Sequence, residues 1–193
     1  MKAIGFDRPL PISDSAALLD LELPTPELLP HDVLVEVRAI AVNPADVKVR
    51  AAHTPPPGSY RILGWDAAGV VQAVGSAVQD FRAGDEVYYA GAINRPGAYA
   101  QLQAVDARLI APKPRSLDFA EAAALPLTAL TAWETLFERL DIRRPVAGAA
   151  NALLVIGAAG GVGSITIQLA KALTDTAVSP TFARISSNGR RYA

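Results

Sequence analysis

The chain has 193 residues, 51% of them hydrophobic, and a formal net charge of −1. This size and composition are typical of a soluble globular protein with one sizeable core or two modest ones, and the near-neutral charge argues against a nucleic-acid partner. Because the sequence contains no cysteine, disulfides, thiol nucleophiles and thiolate-bound metals are excluded.

No run of about 18 apolar residues indicates a membrane span, and residues 1–6 lack the long apolar core of a signal peptide. We therefore expect a cytoplasmic protein with no membrane partner. His31 and His53 are the two histidines of the chain, so an imidazole-rich zinc site is hard to assemble as well.

The first part of the chain predicts a small, partly closed all-β domain. The clearest strand runs from Asp32 to Asn43, where alternate residues are valine or alanine and the others include Glu36 and Arg38. Short strands, several of them entered through turns, are predicted within residues 2–6, 18–23, 64–75, 81–89, 97–105 and 109–111. Such regular spacing is typical of a small barrel, which we expect to end near residues 112–114.

Helical signals occur between and after these strands. Asn43 followed by Pro44 predicts a short helix over residues 45–50, with Asn43 as its N-cap. The polar loop that follows, residues 51–61, holds His53 and Tyr60, which either reach a substrate or belong to the surface. Further on, caps at Ser116 and Asp118 predict a helix, and a second one is expected from about residue 127 to 140.

Residues 153–163 read Leu-Leu-Val-Ile-Gly-Ala-Ala-Gly-Gly-Val-Gly, which predicts a strand, a glycine turn and the start of a helix. Four aliphatic residues suit a strand that is buried on both faces. We expect one apolar helix face formed by Val162, Ile165, Leu169 and Leu173. Such a turn brings backbone N–H groups to a helix start, where a phosphate is favoured. Without a ligand, the same glycines would serve a tight strand-to-helix connection.

In their order, these motifs resemble the medium-chain dehydrogenase/reductase superfamily, and within it the zinc-independent quinone-oxidoreductase-like branch, often named zinc-type alcohol dehydrogenase-like. The matching segments are residues 41–48, 63–71, 74–75, 81–87, 123–134 and 157–163. The resemblance implies a GroES-like β-barrel catalytic domain at 1–114. It also implies an incomplete Rossmann domain, a doubly wound parallel sheet, at 115–178.

The same resemblance implies a cofactor, a substrate class and site residues. It implies NADPH, with NADH possible, and direct hydride transfer to a quinone, an enone or a related carbonyl compound. The implied cofactor-binding residues are Gly157, Ala158, Ala159, Gly160, Gly161, Val162, Gly163, Thr131 and Asn43. Asn43 would also be catalytic, by positioning substrate and nicotinamide. An N-cap role alone would explain the presence of Asn43 equally well. A threonine in the middle of a helix, such as Thr131, often bonds the carbonyl one turn back instead of a ligand.

Zinc is not expected. Zinc-dependent relatives bind the metal with a Cys after the long strand, a His in a Gly-His-Glu triplet and a third ligand near the second helix. The corresponding places here hold Asn43, Trp65 and the region 125–131, none of which offers a ligand. Without a metal to polarise the carbonyl, a conjugated acceptor needs less activation than an alcohol, which favours a quinone or enone substrate. Asp66 is expected to be a capping or structural carboxylate.

A complete Rossmann domain needs about six strands, but after residues 175–178, the start of a second strand, the periodicity is lost. We expect residues 179–193 to be a non-native tail of a C-terminally truncated chain whose intact parent is a homodimer. Two hypotheses stay open. The chain represents an NADPH-dependent quinone or enone reductase, or it is a non-catalytic fragment that binds a cofactor or a partner.

Overall fold

The structure is a computed structural model, and it describes residues 1–181. The chain divides into two compact units after Leu127. The strands are β1 (Lys2–Phe6), β2 (Leu19–Glu22), β3 (Asp32–Ala41), β4 (Arg61–Ile62), β5 (Asp66–Val74), β6 (Glu86–Ala90), β7 (Leu102–Asp106), β8 (Ile110–Pro112), β9 (Ala152–Val155) and β10 (Ala177–Pro180). The helices are α1 (Pro44–Ala52), α2 (Phe119–Ala123), α3 (Pro126–Trp133) and α4 (Gly161–Leu173), with a 3₁₀ turn at Ala107–Leu109 and a π-helical segment at Glu134–Arg139.

The first unit contains two antiparallel sheets. One has five strands in the order β7-β3-β5-β6-β8, and the other has three in the order β2-β1-β4. The predicted all-β domain of short strands is therefore confirmed, and β2 pairs with β1 as expected. Strand pairing within residues 1–181 does not close either sheet into a barrel.

The core of the first unit lies on one face of the five-stranded sheet. Val33 and Val35 of β3 are fully buried, as the period of two predicts, and they pack with Val71, Val87 and Val105 from neighbouring strands. Toward the end of β3 the alternation continues in weaker form, because Val37, Ala39 and Ala41 are half-buried and Arg38 and Ile40 are exposed, although the register between β3 and β5 is irregular there. The alternating pattern of β3 thus identifies the strand face that forms this core.

Beside this core, Arg95 forms an ion pair with the buried Asp32 carboxylate, and sequence analysis did not detect this pair. The Arg95 guanidinium donates to both Asp32 carboxylate oxygens, at 2.8 and 2.6 Å, and the Leu29 N–H donates to Oδ2 at 3.2 Å. The hydrogen bond from Arg95 is the main reason why the pKa of Asp32 lies below its ordinary value. The pair connects the start of β3 to the loop that precedes β7.

Replacing Arg95 by glutamine is expected to destabilise the fold at pH 7 by about 2 kcal/mol, because it leaves a buried carboxylate without its cation. The folded pKa of Asp32 is depressed, so this contribution is present above its unfolded pKa and is lost as the pH falls through the folded pKa. Urea unfolding at pH 7 and at decreasing pH measures the loss. Arg108→Gln is the matched control, because its equally short pair with Asp106 has an arginine that is 76% exposed. An Arg95→Gln cost no larger than that of the control would contradict the assignment.

The helix α2 begins at the predicted cap Asp118, which forms a reciprocal cap with Glu121. The Asp118 carboxylate accepts the Glu121 N–H at 2.8 Å, and the Glu121 carboxylate accepts the Asp118 N–H at 3.0 Å. Ala122 and Ala123 are buried against Ala68 of β5, so this helix packs on the sheet of the first unit. A domain limit between residues 114 and 115 stays a prediction.

In the second unit, β9 and β10 pair in parallel, with Leu153 opposite Val178 and Val155 opposite Pro180. The predicted second strand at residues 175–178 is confirmed in its type and place. The prediction that residues 153–156 are buried on both faces was wrong, because Leu154 is 60% exposed and Ile156 is 81% exposed. Within residues 1–181, β9 has β10 as its one neighbouring strand, which leaves apolar side chains uncovered. The predicted tail started too early, because Ser179 and Pro180 belong to β10, and its residues 182–193 lie outside the described residues.

Candidate functional site

The glycine turn joins β9 to α4 in the second unit. Gly157 has a φ of +71°, a conformation that side-chain-bearing residues rarely adopt. The Gly160 N–H donates to the Gly157 carbonyl at 3.0 Å, which closes the turn. The Ala158 N–H donates to the Thr181 carbonyl at 3.1 Å, so the end of β10 holds the turn from the other side.

The start of α4 presents unpaired backbone donors. The first bond of the α-helical pattern runs from the Ser164 N–H to the Gly160 carbonyl, at 2.9 Å. The N–H groups of residues 161–163 precede that bond and have no acceptor within the helix. The first turn of α4 contains no acidic residue, and Lys171 lies in the last turn, so nothing in the helix opposes its dipole. This arrangement fits a phosphate group.

The glycines at positions 157, 160 and 163 differ in how far the fold itself requires a glycine. A Cβ on Gly163 would lie 2.6 Å from the Gly157 carbonyl oxygen and 2.7 Å from the Ala158 Cα, so helix packing itself requires glycine there. Gly157 is required by its positive φ. At Gly160, the nearest atom to a Cβ would be the Gly157 oxygen at 3.4 Å, an ordinary contact. Packing therefore leaves the glycine at 160 unexplained, apart from its place as the N-cap.

The buried face of α4 differs from the predicted one. Its fully buried residues are Thr166 and Ala170, whereas Val162 and Leu173 are 40% and 44% exposed. Gly163, Thr166 and Ala170 follow one another at helical spacing, and these small residues allow the helix to approach the turn closely. The Thr166 hydroxyl donates to the Val162 carbonyl at 2.7 Å, which satisfies the buried oxygen.

Helix α3 contributes to the surroundings of the turn. The Thr128 methyl group lies 3.2 Å from the position of a Cβ on Gly161. Thr131 is exposed one turn further along α3, and its carbonyl accepts the Thr135 hydroxyl at 2.7 Å. The structure thus brings the helix that carries Thr131 next to the glycine turn. The cofactor role of Thr131 stays a prediction.

In the first unit, Asn43 lies in a buried polar network. Its side-chain nitrogen donates to the Asp66 carboxylate at 2.8 Å, and its main-chain N–H donates to the Asp46 carboxylate at 2.7 Å. Asp46 also accepts the Gly64 N–H at 2.9 Å, while Asp66 accepts the Leu127 N–H at 2.7 Å. Asn43 precedes α1 as predicted, and its side chain is held by a residue 23 positions away.

Both carboxylates of this network are buried, and burial shifts the pKa of Asp66. Asp46 and Asp66 are 2% and 1% exposed. Burial raises the pKa of Asp66, and its hydrogen bonds to Asn43 and Leu127 partly offset that increase. Asp66 accepts the backbone N–H near the start of α3, so it acts as a capping carboxylate from a distant strand, as the sequence indicated. Sequence analysis missed the role of Asp46, although the spacing Asn43-x-x-Asp46 is that of a reciprocal cap.

The places that correspond to zinc ligands do not fit a zinc ion. The Trp65 indole is buried and donates to the Ala92 carbonyl at 3.2 Å, and an indole N–H offers no lone pair to a metal. Asn43 donates its amide to Asp66. Among residues 1–181, no group of three His, Cys, Asp or Glu side chains is arranged to hold a metal. None of the described helices combines the length and apolar character that crossing a membrane requires.

A mainly apolar cavity of about 560 Å³ lies elsewhere in the first unit. Its lining includes Leu23, Tyr60, Ile62 and Leu102. None of the cofactor-binding residues predicted from the sequence lines it, but Tyr60, a candidate for substrate contact, does. Tyr60 therefore faces a different space from His53, which lines a separate recess beside Lys48 and Arg61.

The chain is similar to known proteins over most of its length. Residues 29–115 match the family described as the alcohol dehydrogenase GroES-like domain. A zinc-type alcohol dehydrogenase-like protein of Staphylococcus epidermidis is 40% identical over 172 residues, which cover 89% of this chain and 51% of that protein. The chloroplastic NADPH-dependent alkenal/one oxidoreductase of Arabidopsis thaliana is 43% identical over 164 residues, covering 79% of this chain and 40% of that protein.

A solved structure shows the same fold. The crystal structure of a putative zinc-dependent alcohol dehydrogenase protein from Rhizobium etli matches with a TM-score of 0.92 and 56% sequence identity. The match covers 95% of this chain and 54% of that one. The chain thus spans about half the length of the proteins that it resembles. The part that matches includes both the β-rich unit and the unit with the glycine turn.

Proposed function

Because the chain belongs to the medium-chain dehydrogenase/reductase superfamily, whose GroES-like domain it carries, we propose that it is part of an NAD(P)H-dependent oxidoreductase. The substrate would be a quinone, an enone or a related carbonyl compound, reduced by direct hydride transfer without zinc. The cofactor supplies the hydride when it is bound. NADPH is proposed ahead of NADH because the alkenal/one relative is NADPH-dependent by name.

The glycine turn is the observation that carries this proposal. Gly160 adopts a φ of −78° and has space for a Cβ, so the fold alone does not require a glycine at this position. A bound pyrophosphate would require one, because a side chain would obstruct its approach to the backbone. The N–H groups of Gly161, Val162 and Gly163, together with the positive end of the α4 dipole, would bind the phosphate oxygens. Ala158 and Ala159 complete the turn that presents these donors.

Asn43 would position the nicotinamide or the substrate in the first unit. The hydrogen bond to Asp66 holds its amide nitrogen, and the helix start holds its backbone, so the side chain is fixed before any ligand arrives. A fixed amide contributes to catalysis by orientation, since it needs no reorganisation when the ligand binds. Thr131 is proposed as a further cofactor contact. Direct hydride transfer requires no nucleophile from the protein.

The donor atoms support a mechanism without zinc. The sequence has no cysteine, and the two residues at former ligand places, Asn43 and Trp65, both donate hydrogen bonds. A conjugated carbonyl compound spreads the incoming charge over several atoms, so hydrogen bonds provide sufficient activation. Stoichiometric zinc in the purified protein would contradict this part of the proposal. A cytoplasmic location and a homodimeric assembly belong to the same proposal.

The second candidate is a cofactor-binding or interaction protein without catalysis. It is favoured by the described part of the second unit, where, within residues 1–181, β9 pairs with one strand and Leu154 and Ile156 are largely exposed. Both candidates use the same GroES-like unit. They differ in whether a nicotinamide cofactor binds and whether a substrate is then reduced.

NADPH titration of the 193-residue chain tests the proposal. We expect saturable binding and a stabilisation of about 2.7 kcal/mol at 100 times the Kd, measured by NADPH fluorescence and thermal unfolding. Gly160→Val should weaken binding by obstructing the phosphate, whereas the fold tolerates a side chain at 160. Unchanged fluorescence and stability at millimolar NADPH would contradict the proposed function for this chain and favour the second candidate. Saturable binding without reduction of any quinone or enone would favour a non-catalytic cofactor-binding protein.

A further inference from the structure

A basic recess lies on the first unit, where α1 faces β4 and the loop after β6. We define it by three basic side chains, Lys48, His53 and Arg61, an apolar wall of Val49, Ala52 and Ile93, and Asn94 at its edge. Its volume is about 590 Å³. The lining carries two permanent positive charges and no carboxylate.

The two permanent cations of the recess are not neutralised by neighbouring acids. Other basic residues of the first unit, such as Arg38, Arg95 and Lys113, have a carboxylate partner within 4.0 Å, but no ion pair among residues 1–181 includes Lys48 or Arg61. The acid nearest in sequence, Asp46, is buried and accepts the N–H groups of Asn43 and Gly64. The positive potential of the recess is therefore available to a ligand.

Arg61 is held in place and keeps an unused donor. Its guanidinium donates to the Ile93 carbonyl and lies 5.9 Å from the centre of the Trp65 ring. Its Nε is buried and has no hydrogen-bond partner among the described residues. A buried donor without an acceptor is unusual and costly in a folded protein, so the described residues leave part of the hydrogen-bonding capacity of this guanidinium unused. Burial lowers the pKa of Arg61 below its ordinary value, because its charge is partly removed from water.

The apolar wall and the helix geometry define the shape of the ligand. Lys48 and Ala52 are four residues apart on α1, so they lie on the same face with Val49 between them. This arrangement places methyl and isopropyl groups beside the two cations. An ion without an apolar portion would leave that wall in contact with water.

We propose that the basic recess binds a small molecule that carries a carboxylate or similar anionic group beside an apolar portion. The anionic group would contact Arg61 and Lys48, and the apolar portion would pack on Val49, Ala52 and Ile93. This inference depends on residues of the first unit alone. It stands or falls independently of cofactor binding at the glycine turn.

Benzoate is a suitable probe, with benzamide as its neutral counterpart and inorganic phosphate as the anion without an apolar portion. In a titration of the ¹⁵N-labelled 193-residue chain at low salt, benzoate is expected to shift the amide resonances of Val49, His53 and Asn94 in a saturable way. Lys48→Gln, at an exposed helical position, should raise the Kd for benzoate by about twofold to fivefold. Arg61→Lys keeps the charge but loses the planar fork, so it should also weaken binding.

Arg82→Gln is the matched control, because it removes one charge from an 88% exposed arginine that pairs with Asp85 outside the recess. Its affinity for benzoate should equal that of the unmodified chain. The proposal is overturned if Lys48→Gln binds benzoate as the control does, if benzamide binds as tightly as benzoate, or if phosphate does. The amide spectrum of each variant shows whether it is folded, and Lys48→Gln provides the test even if Arg61→Lys is not.

Discussion

Replacing Gly163 by alanine is expected to destabilise the second unit by about 3 kcal/mol. A single Cβ would lie 2.6 Å from the Gly157 carbonyl oxygen and 2.7 Å from the Ala158 Cα. Both atoms belong to the backbone of the turn, so no side-chain rotation can relieve the clash. The helix would have to move away from the turn, which would also separate Thr166 and Ala170 from their buried positions.

Gly160→Ala is the matched control for this substitution. It adds the same methyl group three residues earlier, where the nearest atom is 3.4 Å away and φ is −78°. Its cost should be about 1 kcal/mol or less, the loss of a good N-cap residue. Urea unfolding of the two variants, with hydrogen exchange of amides in β9, β10 and α4, measures the difference. Equal stabilities would show that the close approach at Gly163 does not hold the helix on the turn.

The glycine turn also shows how far sequence reasoning reaches. The strand, turn and helix were predicted from periodicity and from glycine spacing, and β9 and α4 confirm them. The predicted helix face was wrong at Val162 and Leu173, which are exposed, while Ile165 and Leu169 are half-buried. Hydrophobicity alone had selected all four. Close packing against a glycine turn selects small residues instead, and a hydrophobic period does not report on that distance. The π-helical segment at Glu134–Arg139 likewise has no signal in a periodic pattern.

Polar partners were the part of the candidate site that the sequence could not specify. Asn43 was identified, but its partner Asp66 lies 23 residues away, and the Leu127 N–H that Asp66 accepts lies 61 residues further on. Arg95 and Asp32 are separated by 63 residues. Such pairs arise from the sheet order β7-β3-β5-β6-β8, which no local pattern encodes. The cap at Asp118 was predicted because capping depends on residues within one helical turn, and its partner Glu121 lies three positions along the chain.

Replacing Asp66 by alanine is expected to destabilise the first unit by about 3 kcal/mol, because it removes the acceptor of two buried donors. Those donors are the Asn43 amide, at 2.8 Å, and the Leu127 N–H, at 2.7 Å. Asp85→Ala serves as the control, since its carboxylate accepts the Arg82 N–H at 2.9 Å in a side chain that is 35% exposed. Water replaces that acceptor, so urea unfolding should show a cost below about 1 kcal/mol.

An exchange of the two side chains separates the hydrogen bond from other effects of the substitution. Asp66→Asn presents an amide nitrogen toward the Asn43 amide, whereas adding Asn43→Asp restores a donor opposite an acceptor. The double variant should therefore recover part of the stability that Asp66→Asn loses, which a double-mutant cycle measures. If the two losses simply add, the contact between Asn43 and Asp66 does not couple them.

The pH dependence of Asp66 should have the opposite sign to that of Asp32. The folded pKa of Asp66 is raised by burial, so the folded state binds its proton more tightly than the unfolded chain does. Between the unfolded pKa near 3.8 and the higher folded pKa, unfolding releases a proton, and stability must fall as the pH rises. The difference in unfolding free energy between the unmodified chain and Asp66→Asn should decrease over that window and level off above it.

Asp32 should behave in the opposite way over a lower pH window. There, the difference in unfolding free energy between the unmodified chain and Arg95→Gln should grow with pH, because the folded pKa of Asp32 is depressed. Two carboxylates with nearly the same exposure thus respond oppositely, since one is balanced by a cation and the other by neutral donors alone.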